Sequence, residues 1–200
     1  MSFIGGGDNP SIHNGAGAPV GYAGDPGGGN KTCTNCHAGT ASTLAGIFSS
    51  NIPGTGYVPG NTYTITANFV KSGHVEYGFQ ASPQDISGAA MGSMANLGTQ
   101  TQLIGQGGKY VTHTNSGKSG TGSITWNFEW TAPTSGSGAV TFYGAFNATN
   151  NNNSTSGDQV FKSTMSVNVG TASVFNSYEN HFSLSTFPNP ATDNLAINFY

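Results

Sequence analysis

The chain has 200 residues, of which only 6% are charged: five lysines, eight acidic residues and no arginine, for a net charge of −3 at pH 7. An ordinary soluble domain carries roughly 25%, so solubility here rests on Ser, Thr, Asn, Gln and Gly, a composition that suits a protein working outside the cell. Five lysines cannot build a basic face for nucleic acid, and no apolar run approaches the roughly 20 residues that span a bilayer as a helix.

The opening stretch "MSFIGGGDNP" lacks the basic segment and apolar core of an intact signal peptide. If the protein is exported, the chain is expected to begin near or after a cleavage point. Residues 1–42 are mostly Gly, Pro, Asn and Asp without apolar periodicity. Such a segment cannot bury a core of its own, so it is either disordered or wrapped around something.

Both cysteines of the chain lie in this segment, in "NKTCTNCHAGT", where Cys33, Cys36 and His37 read C-x-x-C-H. A redox dithiol would need a strand–helix context that the Gly-rich flanks do not supply. Zinc would need two more ligands from His13, His74, His113 or His181, none of which forms a second cluster. A disulfide across two residues is strained and leaves the histidine without a purpose. Covalent haem attachment uses all three residues: two thioethers to the porphyrin vinyl groups, and His37 as the proximal ligand of the iron. One haem c is therefore the expected cofactor, with the glycines allowing close packing of backbone on the macrocycle.

From residue 43 to 169 the pattern changes to short alternating runs. The candidate strands are "TLAGIFSS", "TYTITANFV", "VEYGFQAS", "KYVTHT", "SITWNFEW", "AVTFYGAF" and "VFKSTMSVNV". Tyr63, Ile65, Ala67 and Phe69 share one face of the second run. Ile124, Trp126, Phe128 and Trp130 share one face of the fifth. Seven half-buried strands without an amphipathic helix predict an all-β fold, an immunoglobulin-like antiparallel β-sandwich with a Gly-rich N-terminal haem-binding loop segment. Asn147 to Asp158 reads as a polar surface loop. Residues 170–183 read as a linker, and 184–200 begin something new.

A second axial ligand has several candidates. His113 is in phase with Val111 and is the first choice. Met91 and Met94 lie in the flexible-looking "GAAMGSMANLG", and His13 lies in the N-terminal arm. His74 shares a polar face with Glu76 and Gln80 and is expected in solvent, as is His181, while Met165 is in phase with core residues. No Ser-His-Asp set, phosphate-cradling loop or paired-carboxylate site is evident, so an enzyme is not expected.

Taken together, "GAPVGYAGDPGGGNKTCTNCHAGT", "YVPGNTYTITANF", "YGFQAS", "YVTHT", "ITWNFEWTAP" and "VTFYGAFNATNNNNSTSGD" resemble the bacterial reelin-like (Reeler-type, choice-of-anchor) domains that carry a C-x-x-C-H, over about residues 15–169. The resemblance implies a β-sandwich and an extracytoplasmic haem protein. The tail from Phe187, "FPNPATDNLAINF", is similar to the start of a type IX secretion C-terminal sorting domain, cut short at Tyr200. The function expected is that of an exported monohaem c-type cytochrome at the cell surface or in the medium, transferring electrons to redox partner proteins or through self-association into an array. The alternative is a surface adhesion or binding module with haem as a structural or sensing cofactor.

Overall fold

The computed structural model describes residues 14–134 and 138–170. His13, His181, the expected linker from 171 onward and the sorting segment at 184–200 lie outside the described residues. Among the described residues there are ten strands: β1 (Ser42–Thr43), β2 (Phe48–Ser50), β3 (Thr62–Val70), β4 (Glu76–Gln84), β5 (Ser93–Asn96), β6 (Thr101–Ile104), β7 (Tyr110–His113), β8 (Ser123–Thr131), β9 (Val140–Thr149) and β10 (Gln159–Val167). They form a six-stranded sheet in the order β1-β10-β9-β4-β7-β6 and a four-stranded sheet in the order β2-β3-β8-β5. Among the described residues no helix is long and apolar enough to cross a membrane.

The seven expected strands are all there, and β1, β5 and β6 are additional. The last three span two to four residues, too few to show an alternation, and only pairing to a neighbour defines them. One expectation is corrected by β1. It runs parallel to β10, with Ser42 opposite Phe161 and Thr43 opposite Lys162, so the sandwich is not wholly antiparallel. A parallel neighbour needs a long connection, and here the whole intervening chain supplies it.

The two periodic runs pack as their spacing requires. In the β3–β8 ladder Tyr63 faces Trp130, Ile65 faces Phe128, Ala67 faces Trp126 and Phe69 faces Ile124, and all eight are buried. Across the sandwich Trp126 stacks on Phe79 of β4 with ring centroids 4.3 Å apart. Trp130 meets Phe142 of β9 edge-on at 5.2 Å. Each indole N–H finds a backbone acceptor, Gly117 O at 2.6 Å for Trp126 and Met91 O at 2.7 Å for Trp130, so neither indole donor is stranded in the core.

The described part of the Gly-rich segment, from Asn14 onward, lies against the outer face of the six-stranded sheet. Side chains of the sheet take the role of a partner strand for it. The Tyr22 amide donates to Gln80 Oε1 at 2.5 Å, and Gln80 Nε2 donates to Pro19 O at 2.6 Å. The Gly27 amide donates to Gln84 Oε1 at 3.0 Å, and the Ala18 amide to Thr112 Oγ1 at 3.1 Å. Asp25, fully buried, accepts from the Gly28 amide at 2.7 Å, from the Tyr110 hydroxyl at 2.8 Å and from Gln84 Nε2. Gly27 is required by this close approach, since a Cβ there would stand 2.4 Å from the Gly88 carbonyl oxygen. The expected solvent-facing side of β4 is thereby corrected: Gln80 is fully buried, and so is every β4 residue after Glu76.

Candidate functional site

Cys33, Thr34 and Asn35 form one 3₁₀ turn, and the residues between the cysteines explain it. Thr32 caps the turn by accepting from the Thr34 amide, while Asn35 Oδ1 accepts from the Thr32 amide at 3.2 Å. This reciprocal arrangement satisfies two donors that a helix start leaves open. The Cys36 and His37 amides both return to Cys33 O, at 3.1 and 2.8 Å. Two thiols and one imidazole are so carried on a single rigid turn.

Both cysteines are free thiols, Cys33 half-buried and Cys36 exposed. Burial pushes the Cys33 thiol up to about 12, a backbone hydrogen bond opposes this, and the neighbouring Cys36 adds to it. A dithiol oxidoreductase requires the opposite, a thiol below its ordinary range. Burial of Cys33 thus works against thiolate formation at that sulfur. Among the described residues no group of three or more His, Cys, Asp or Glu side chains is placed to hold a metal ion by itself.

The imidazole of His37, 18% exposed, is held from behind. Its Nδ1 lies 2.5 Å from Asp158 Oδ2, and the Asp158 side chain is 1% exposed. Asn147 Nδ2 lies 3.2 Å from Nδ1 and 3.4 Å from Nε2.

His113 comes from the other end of the sheet's logic. It is the last residue of β7, where the chain leaves for the turn Asn115–Gly117. Side chains here replace a strand partner for Phe79: Thr112 Oγ1 donates to its carbonyl at 2.6 Å, and His113 Nδ1 sits 3.1 Å from its amide and 3.2 Å from its carbonyl. Gly78 makes room for the ring, since a Cβ would stand 3.0 Å from Cε1. Burial pushes the His113 pKa below its ordinary value, opposed by the Phe79 and Asn14 backbone and helped by the Lys118 charge. Desolvation thus favours the neutral ring.

These residues share one cavity. Cys33, Cys36, His37, His113, Asn147 and Thr149 line an open cleft with about 930 Å³ of empty space, part of it continuous with solvent. Of the described glycines of the N-terminal segment only Gly15 lines it, while Gly27 packs on the sheet instead. Two buried polar atoms of the wall, Asn147 Oδ1 and Thr149 Oγ1, have no hydrogen-bond partner, which is costly unless a ligand or water meets them.

Other expected candidates are placed elsewhere. Met91 is buried in the core and Met94 packs against it from β5 in the four-stranded sheet, so neither belongs to a loose loop and neither lines the cleft. His74 is half-buried, its Nδ1 2.7 Å from Thr149 O. Met165 packs against the core as its phase predicts. Asn147 and Asp158 were expected on a surface loop, but Asn147 belongs to β9 and both side chains are buried. No sequence signal separates them from the surrounding Asn and Ser.

The Reeler domain model matches residues 31–166, a span that begins just before the C-x-x-C-H turn and ends on β10. The chain belongs to the Reeler domain family. Among solved structures this reeler domain is similar to the Reelin-N domain of F-spondin, at 17% identity and a TM-score of 0.50, covering 66% of this chain and 93% of that one. The human F-spondin reeler domain is similar at 16% identity and a TM-score of 0.49, covering 66% of this chain and 94% of that one. Identities this low speak for the fold alone. No curated protein matches the chain.

Proposed function

We propose that this reeler domain carries one covalent haem c on Cys33 and Cys36, with His37 and His113 as axial ligands, and serves outside the cytoplasm as a monohaem electron-transfer protein. The observation that carries the reading is the convergence, on one cleft, of both thiols, both imidazoles and the two unpartnered polar atoms of Asn147 and Thr149. The donor set suits the group: two free thiols for thioether bonds and two nitrogen ligands for a low-spin iron. In each attachment a thiol S–H adds across a vinyl double bond. A C–S bond forms, the π bond breaks and the thiol hydrogen passes to the other vinyl carbon, so no oxidant or reductant is consumed. The bound iron supplies one-electron ferric–ferrous exchange. The protein's own residues hold the ring nitrogens in position and, through Phe79, Tyr77 and the N-terminal segment, limit water.

Low overall charge disfavours long-range steering toward a highly charged partner. Contact with a redox partner protein or a second copy through an exposed haem edge fits that composition better. The tail from Phe187 supports export through type IX secretion.

A second reading is favoured by the position of the cleft, whose walls come from both the Cys33–His37 turn and strands β4, β7 and β9. A group bound there staples the N-terminal segment to the sheet, as befits a surface binding or adhesion module with a structural or sensing haem. A reversible midpoint and rapid exchange with a soluble cytochrome support the first reading. Redox-silent haem needed for folding supports the second.

The test of the cofactor is co-expression with a cytochrome maturation system, followed by a denaturing gel stained for haem. The band is expected in wild type and lost in Cys33→Ala plus Cys36→Ala. Replacing His113 by Ala is expected to turn a low-spin spectrum high-spin. A wild-type chain without covalent haem sinks the proposal.

A further inference from the structure

Asp158 stands behind His37, its Oδ2 turned to the imidazole. Its side chain is 1% exposed, and His37 is the one basic side chain within ion-pair distance of it among the described residues. A buried carboxylate with so little compensation is costly, and the surrounding loop is organised to keep it in place. Asp158 Oδ1 accepts from the Asn150 amide at 3.0 Å. The Asn152 amide returns to Asn150 Oδ1 at 3.3 Å, the Ser154 amide to Asn152 Oδ1 at 2.9 Å, and the Ser156 amide to Ser154 Oγ at 3.3 Å. The Ala38 amide, next to His37, donates to Thr155 O at 2.8 Å. The run of Asn and Ser is therefore a stiff brace between the β9–β10 connection and the C-x-x-C-H turn.

We propose that Asp158 is the positioning residue of His37: it accepts a hydrogen bond from Nδ1–H, aims the Nε2 lone pair at the iron and biases the iron toward its ferric state. Asn147 Nδ2 lies within reach of both ring nitrogens, 3.2 Å from Nδ1 and 3.4 Å from Nε2, so it can donate to whichever carries the lone pair and does not itself choose the tautomer. The carboxylate at 2.5 Å chooses it, being nearer and charge-assisted. A carboxylate behind a ligating imidazole raises the basicity of the ligand, and extra electron density at the iron stabilises the oxidised form. The ligand part of this inference rests on the haem reading, whereas the tautomer part does not.

Two measurements separate them. In haem-free, ¹⁵N-labelled protein, His37 is expected to show a protonated Nδ1 and an unprotonated Nε2, and Asp158→Asn is expected to lose that preference. An unprotonated Nδ1 in wild type overturns the proposal, even where the variant does not fold. In the haem-loaded protein, Asp158→Asn is expected to keep its haem-stained band while its midpoint shifts to more positive potential, with Asp158→Glu restoring part of the shift. An unchanged midpoint with haem attached overturns the tuning role. Absence of the stained band in wild type counts against the haem reading alone.

Discussion

His113 is buried where a strand ends, and its behaviour is a residue-scale consequence of that burial. Its folded pKa lies below the ordinary 6.5, with desolvation the largest cause. In the unfolded chain the ring takes up a proton as the pH falls through about 6.5, while the folded chain resists it. Stability from this site is therefore complete above the unfolded pKa and is lost as the pH falls toward the folded one. In haem-free protein the urea midpoint is expected to drop from about pH 7.5 to about pH 5, and His113→Gln is expected to flatten that part of the profile. A wild-type profile identical to that of the variant would show that the ring is solvated. Cys33 makes the same point with the opposite sign: burial holds its proton on.

At the scale of elements, the N-terminal segment is a strand substitute. It buries little apolar surface, Ala23 being its one fully buried apolar side chain among the described residues, and Gln80 gives one amide both a donor and an acceptor role toward its backbone. Replacing Gln80 by Ala leaves the Tyr22 amide and the Pro19 carbonyl without that partner in a half-buried place. The expected cost is about 1–3 kcal/mol, read by urea denaturation. Limited proteolysis within residues 14–41 is expected to accelerate while the sandwich itself stays protected. Equal protection of the segment in wild type and variant would mean that other contacts hold it. Because the C-x-x-C-H turn sits at the end of this segment, loosening it also moves both thiols relative to the cleft.

For the whole molecule, the aromatic seam between the sheets carries the stability. Trp126 is fully buried, stacks on Phe79 and reaches Gly117 O with its indole N–H. Truncation to Ala removes the ring, opens a cavity and leaves that carbonyl without its donor, for an expected loss of about 3–5 kcal/mol, measured by chemical denaturation. A loss under about 1 kcal/mol would mean that the core collapses around the gap. The same seam fixes the separation of β4 and β8, and β4 supplies the Gly78–Phe79 backbone on which His113 rests. Core and cleft are therefore coupled through one strand.

The long alternating runs were legible in the sequence, because a period of two over eight or nine residues, as in β3 and β8, specifies both the strand and its buried face. The C-x-x-C-H turn was legible for a similar reason: its residues are adjacent in the chain, and the structure keeps Cys33, Cys36 and His37 together on the wall of one cleft. What tertiary structure decided is everything that depends on distant residues meeting. Gln80 was read as a solvent residue, since nothing in "EYGFQAS" says that a segment sixty residues earlier covers the second face of β4. Met94 read as a loop residue, since the four residues of β5 show no period and acquire their strand from β8, and Met91 read so because only the packed core shows that the segment before β5 buries it. Asp158 and Asn147 were hidden in a polar run, and only the hairpin between β9 and β10 swings them onto His37. Local patterns specify elements because each residue's periodicity is set by its own backbone. A site is assembled from several elements, and the distances between them exist only once the core has packed.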